Sequence, residues 1–171
     1  RSDRISLHRS EGLSHLGAPG GLEGLLGDRA GRLGALEGLE LRLVTAMALL
    51  DRPLTLTELE AALGVKTAAT TRALAPRLED GTVRREGHAA EAFYRLDPPA
   101  LGGLLLPGLG EQRLAAEAQA LLERWRTAGP AEEVADLALR VGAEDAVELA
   151  MRAAREATAL HAGAAAERFP R

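Results

Sequence analysis

The chain has 171 residues, enough for one domain or for one small domain with a helical extension. Hydrophobic residues make up 46%, mostly Leu and Ala, and aromatics only 2%, so a mainly α protein with one small sheet is expected. The lack of cysteine excludes disulfides and thiolate metal sites, the cytoplasm is expected because no apolar run of membrane-spanning length or signal-peptide pattern is seen, and the net charge of −4 is not what a free DNA-binding domain usually shows.

Residues 1–20 carry Ser2, Ser6, Ser10, Ser14, His8 and His15 and end in Gly-Ala-Pro-Gly, the composition of an arm. From Leu22, leucines recur at helical spacing through Leu25, Leu26, Leu33, Leu36 and Leu43 to Met47 and Leu50. Glycines at 24, 27, 31, 34 and 38 interrupt them. Each costs up to about 1 kcal/mol against Ala inside a helix. The segment is therefore divided near Gly27–Gly31, into a Gly-rich arm over 1–30 and a helix over Arg32–Leu50. The spaced glycines either admit a second helix at close range or mark an irregular loop.

Asp51-Arg52-Pro53 stops the helix, because the residue before a proline resists the α region. Thr55 with Glu58 fits a capping box that starts a helix at Leu56, with Leu56, Leu59 and Leu63 facing inward. Gly64 suits a left-handed C-cap, and Thr67 can cap the next helix. Gly81 opens a hairpin whose strands alternate through Thr82–Arg85 and Phe93–Leu96, with its tip at Gly87–Glu91. Pro98-Pro99 closes this unit, and Ala100–Leu106 adds a short helical turn.

The last third reads as helical. Leu114, Ala118, Leu121, Leu122 and Trp125 form one stripe, and Val134, Leu137, Ala138 and Val141 a second. Gly129 ends the first of these helices, and Pro130 suits the first turn of the next. A third helix over Glu144–Glu167 would be roughly 35 Å long at 1.5 Å per residue. Its inner face is Ala-rich with Leu149 and Leu160, a seam expected to pack on a partner subunit.

The stretch LTLTELEAALGV, then a helix with Thr71-Arg72, then GTVRREG and FYRLDPPALGGLL, resembles the winged helix-turn-helix regulators of the ArsR, MarR and GbsR kind over Arg32–Leu106. The resemblance implies a mainly α fold with a small β-hairpin wing. An arm at 1–30 would precede a winged DNA-binding domain at 31–106, and a helical dimerisation region would follow at 107–171. It also implies a bacterial homodimer on double-stranded DNA, with a possible small-molecule effector between the winged domain and the dimer helices. One departure stands out. Pro76 falls where the family continues its recognition helix, and Arg77 where an apolar residue is usual. The helix is therefore expected either to bend after Leu74 or to stop there.

An α-helix fits the major groove, where base edges carry a unique donor and acceptor pattern. Lys66 and Thr67 stand at a helix N-terminus suited to a phosphate. Thr70, Thr71 and Arg72 are candidates for base edges. Arg84, Arg85 and Arg95 in the wing would neutralise phosphates, with His88 at the tip. From Gly64 to Leu96 six basic residues stand against four acidic ones, a local +2 within an acidic chain.

Enzymatic motifs fail on mechanism. Gly64-Val65-Lys66-Thr67 lacks the preceding glycine loop of a phosphate-binding motif, and Gly12-Leu13-Ser14-His15 misplaces the second glycine of a nucleophile elbow. His8, His15, His88 and His161 are scattered, although a metal site completed across a dimer stays open. No catalytic residue, resident metal, cofactor or membrane contact is expected. The alternative to a regulator is a winged module that binds protein, of the chromosome-segregation accessory type, which a strand pair after Pro130 would favour.

Overall fold

The computed structural model describes residues 22–88 and 91–168. The expected arm over 1–21 with His8 and His15, and Ala89–Ala90 of the hairpin tip, lie outside them.

Helix α1 spans Leu22–Gly34 and helix α2 spans Gly38–Leu50. The expected break near Gly27–Gly31 is thus corrected. The first helix runs through both glycines, the turn lies at 35–37, and the boundary drawn at residue 30 falls inside α1. Burial of Ala30 and Leu33 holds this glycine-weakened helix in place, while a Cβ at Gly24, Gly27 or Gly31 would meet nothing within 4 Å.

In α2 all of Leu41 and Leu43 to Leu49 are buried, the mark of a helix enclosed on every side. Leu41, Leu43, Val44, Met47 and Ala48 face one core, and Ala46 and Leu49 face a second. Asp51 ends α2 in the left-handed conformation, its N–H bonded to the Met47 carbonyl.

Strand β1, Leu54–Thr55, was not expected from the sequence. Helix α3, Leu56–Leu63, follows with the capping box complete: Thr55 Oγ1 accepts the Glu58 N–H, and Glu58 accepts the Thr55 N–H. Helix α4 runs over Thr67–Glu79. Strands β2, Val83–Glu86, and β3, Phe93–Leu96, pair antiparallel with Val83 opposite Leu96 and Arg85 opposite Tyr94. β1 joins the other edge of β3, giving the order β1-β3-β2. Helix α5, Leu101–Gly108, covers α1 and α2 and completes the first core.

Helices α6 (Glu111–Trp125), α7 (Ala131–Val141) and α8 (Ala146–Arg168) complete a mainly α chain whose C-terminal helices pack together. Pro130 is the N-cap of α7 rather than a first-turn residue. The stripes of α6 and α7 are buried inside this chain, against Ala46, Leu49 and Ala62 of α2 and α3. This chain therefore covers both stripes by itself. Among the described residues α8 is largely exposed from Met151 to Leu160, apart from the partly buried Ala153.

Three arginines of these helices tie the halves together by donating to carbonyls at the ends of earlier helices or in the turn just after one. Arg113 reaches the Gly34 and Leu36 carbonyls, Arg124 that of Ala62, and Arg140 that of Leu49. Such carbonyls lack intrahelical partners and attract cations. Arg124 lies so close to the α3–α4 turn that a Cβ at Gly64 would stand 2.8 Å from its Cδ. Gly64 also has φ +67, the left-handed conformation that favours glycine, whereas the Arg124 side chain could shift to admit a Cβ.

A second tie centres on Glu133 of α7. Its carboxylate accepts Arg52 Nε at 2.5 Å and Trp125 Nε1 at 3.2 Å, while Arg52 Nη2 also reaches Glu58 at 2.7 Å. Partial burial alone would push the Glu58 carboxyl up. The hydrogen bonds from Arg52 and Thr55 outweigh it and hold Glu58 below its ordinary value. A depressed carboxyl stabilises the fold at neutral pH, and that contribution is lost as pH falls below about 4.3, through the folded value. Glu58→Gln can keep the capping-box acceptor while removing the charge and the second oxygen that accepts Arg52. Thermal unfolding between pH 3 and 7 will show a shallower acid-side loss for the variant, and identical profiles would remove Glu58 from the account.

Candidate nucleic-acid interface

Helix α4 packs on α3, α2 and β2 through Thr70, Ala73 and Leu74, all buried. Their three- and four-residue spacing defines one inner face. The opposite face presents Ala68, Thr71, Arg72 and Ala75, all exposed. It is a shallow surface with one long cation and one hydroxyl.

Thr70 does not belong to that face. It is fully buried, and its hydroxyl donates to the Lys66 carbonyl at 3.4 Å. Its assignment as a base contact is corrected, and the sign was present in its helical phase with Ala73 and Leu74. Lys66 is the N-cap, in extended conformation and without a side-chain cap bond, so Thr67 is the first helical residue rather than the cap. Both are exposed.

Pro76 neither ends nor interrupts α4 in the described structure. A proline in a helix leaves the carbonyl four residues earlier without its donor. Here that carbonyl belongs to Arg72, on the exposed side, where water can replace the lost bond. Arg77 takes the inner position that a sequence pattern would fill with an apolar side chain. Its guanidinium lies 3.5 Å from Glu40 of α2 and 3.1 Å from Asp80.

Arg84 and Arg95 are cross-strand partners, two like charges side by side. Glu86 relieves them, with Arg95 Nη2 at 2.8 Å and Arg84 Nε at 3.9 Å from its Oε1. Arg95 is half-buried and already committed, whereas Arg84 is 60% exposed. Arg85 points to the other face of the hairpin, as alternation requires, and is exposed. His88 is exposed at the start of the tip.

The hairpin and α4 therefore carry four exposed cations, Lys66, Arg72, Arg84 and Arg85, while Arg77 and Arg95 are spent on internal pairs. Arg72 also lines a shallow groove with Glu37, the N-cap of α2, and Glu40 of its first turn, an acidic neighbourhood that the sequence order had hidden.

Elsewhere, a cleft of about 220 Å³ lies between Leu49 and Leu50 of α2 and Glu132, Glu133 and Asp136 of α7. Among the described residues no three His, Asp or Glu side chains come together as a metal site, and no helix is long and apolar enough to cross a membrane. Compared with models of protein families, with characterised proteins and with solved structures, the chain matches none of them.

Proposed function

We propose that this protein is a winged helix-turn-helix transcriptional regulator that binds specific double-stranded DNA as a cytoplasmic homodimer. The observation that carries this reading is the outward face of α4. Small side chains at Ala68, Thr71 and Ala75 allow close approach to a groove floor, Arg72 can grip a guanine edge, and Lys66 stands at the N-terminus. The order α2, β1, α3, turn, α4, β2, β3 supports it, with β2 and β3 as the wing and Arg84 and Arg85 as phosphate contacts. Thr67 and His88 are further phosphate contacts in this scheme, and Arg95 positions Glu86 and Arg84. The cleft between α2 and α7 is where an effector would be sought, since it joins the reading unit to the C-terminal helices. The protein acts by binding in this proposal, and no enzymatic step is assigned to it.

The second reading, a winged module that binds protein, is favoured by one observation. The net charge is −4, and two of the six cations near the surface are neutralised by Glu40, Asp80 and Glu86. Against it, the chain after Pro130 forms α7 and α8, with no strand pair among the described residues.

Selection from a random duplex library, followed by salt titration of the best site, separates the two. A regulator enriches a palindrome with half-sites about 34–36 Å apart, and its affinity falls as salt rises. Weak, sequence-blind binding at all salt concentrations would leave the protein-binding module in its place.

A further inference from the structure

Helix α8 outlasts the helix it packs on. It has 23 residues against 11 in α7, so it is about 18 Å longer at 1.5 Å per residue. Ala146 and Leu149 are buried in the second core. On another side of the helix Val147 is 68% and Met151 53% exposed, large apolar side chains that no described residue covers.

Those two residues sit within an ordered charge pattern. Glu144 and Glu148 come first along the chain, Met151 follows, and Arg152 and Arg155 come last. Val147, Met151 and Arg155 recur every fourth residue, and Glu148 lies seven before Arg155, so they share one face. Together they line an open groove of about 820 Å³ whose far wall is Arg126. Arg126 is already engaged, bidentate on Asp145. Among the described residues Glu144, Glu148 and Arg155 make no ion pair, and Arg152 reaches only Glu156, at 3.8 Å.

We infer that this stripe is the dimer seam, and that its occupant is the same stripe of a second copy running antiparallel. The inference rests on the homodimeric part of the proposed function and names the surface that part requires. An acidic half followed by a basic half is complementary to itself only when reversed. A two-fold axis near Met151 sets Glu144 and Glu148 of each copy against Arg152 and Arg155 of the other, whereas a parallel pairing would set like charges together. A two-fold contact uses one patch twice, so a single helix suffices to specify it. Val147 and Met151 give the seam an apolar centre, and the flanking charges select its direction. A merely solvated helix face needs no pair of large apolar side chains between its charges, nor a groove beside them.

The test reverses the charges in the full-length chain. One variant carries Glu144→Arg and Glu148→Arg, leaving its stripe wholly positive, and another carries Arg152→Glu and Arg155→Glu, leaving it wholly negative. Circular dichroism checks that both keep their helices. In sedimentation equilibrium the native chain is expected to dimerise at micromolar concentration. Each variant alone dissociates about tenfold or more more readily, and an equimolar mixture recovers dimers containing one of each. A native dimer that both variants retain would overturn this seam while leaving the regulator reading intact. A native chain that stays monomeric would overturn the seam and the homodimer together.

Discussion

Gly129→Ala is expected to unseat the protein's only tryptophan. Trp125 is fully buried at the end of α6, and the chain turns back so tightly that a Cβ at Gly129 would overlap its indole Nε1 and Cδ1. The turn has little freedom to yield, because the Gly129 N–H is bonded to the Trp125 carbonyl at 2.7 Å. Trp125 must then move, and with it the hydrogen bond to Glu133 that links α6, α7 and Arg52. Overpacking costs about 1–3 kcal/mol, and a lost buried hydrogen bond about 1 more. The variant should unfold in urea at a clearly lower midpoint, with native emission shifted to the red. Trp125→Phe keeps a ring and removes the N–H, so it should cost less. An unchanged midpoint and emission maximum for Gly129→Ala would show that the turn accommodates the methyl and that this packing is not tight.

The same region shows what periodicity does and does not convey. Leu114, Ala118, Leu121, Leu122 and Trp125 were legible as one apolar face, and the structure buries all but the partly exposed Leu114. What the face meets was not legible. A stripe states that a surface must be covered, and part of its cover, Ala46, Leu49 and Ala62, comes from helices 50 or more positions away. The connection between halves depends on Arg113, Arg124 and Arg140, which in sequence look like ordinary solvated charges.

Local chemistry transferred better. The Thr55–Glu58 box and Gly64 bracket α3 to the residue, since capping depends only on near neighbours. The hairpin strands followed from alternation. β1 was missed because two residues, Leu54 and Thr55, hold no period, and they become a strand only through pairing with Phe93 and Tyr94. Glycines misplaced the α1–α2 break because propensity was weighed without the burial of Ala30 and Leu33 that overrides it. At the candidate interface the residue types were legible, but Thr70 was misassigned by reading the chain as a line rather than as a helix. The pairing of Arg77 with Glu40 spans 37 positions and left no local trace.

Substitutions across the candidate interface should separate into two behaviours. Arg72 is exposed on the outward face of α4, and in the proposed complex it is the long cation that meets base edges, so Arg72→Ala should cost about 1–3 kcal/mol at one base pair and flatten preference there. Arg84 and Arg85 leave opposite faces of β2 and would meet phosphates, which carry no sequence. Replacing both with Ala should weaken every duplex alike and reduce the magnitude of the salt slope by about 1.8, roughly 0.9 for each phosphate no longer neutralised. Arg95→Ala should act differently again, because its guanidinium holds Glu86 at 2.8 Å and its loss frees that carboxylate beside Arg84. Thr70→Val serves as the internal control. Thr70 is buried and bonded to its own helix, so its replacement should alter stability and leave the selected sequence unchanged. Binding measured for each variant on the selected site, on single-base substitutions and on random duplex, at several salt concentrations, distinguishes these effects. Should Arg72→Ala behave like Arg84→Ala, losing affinity everywhere equally, α4 would be lying on the backbone rather than in the groove, and its small-residue face would need another partner.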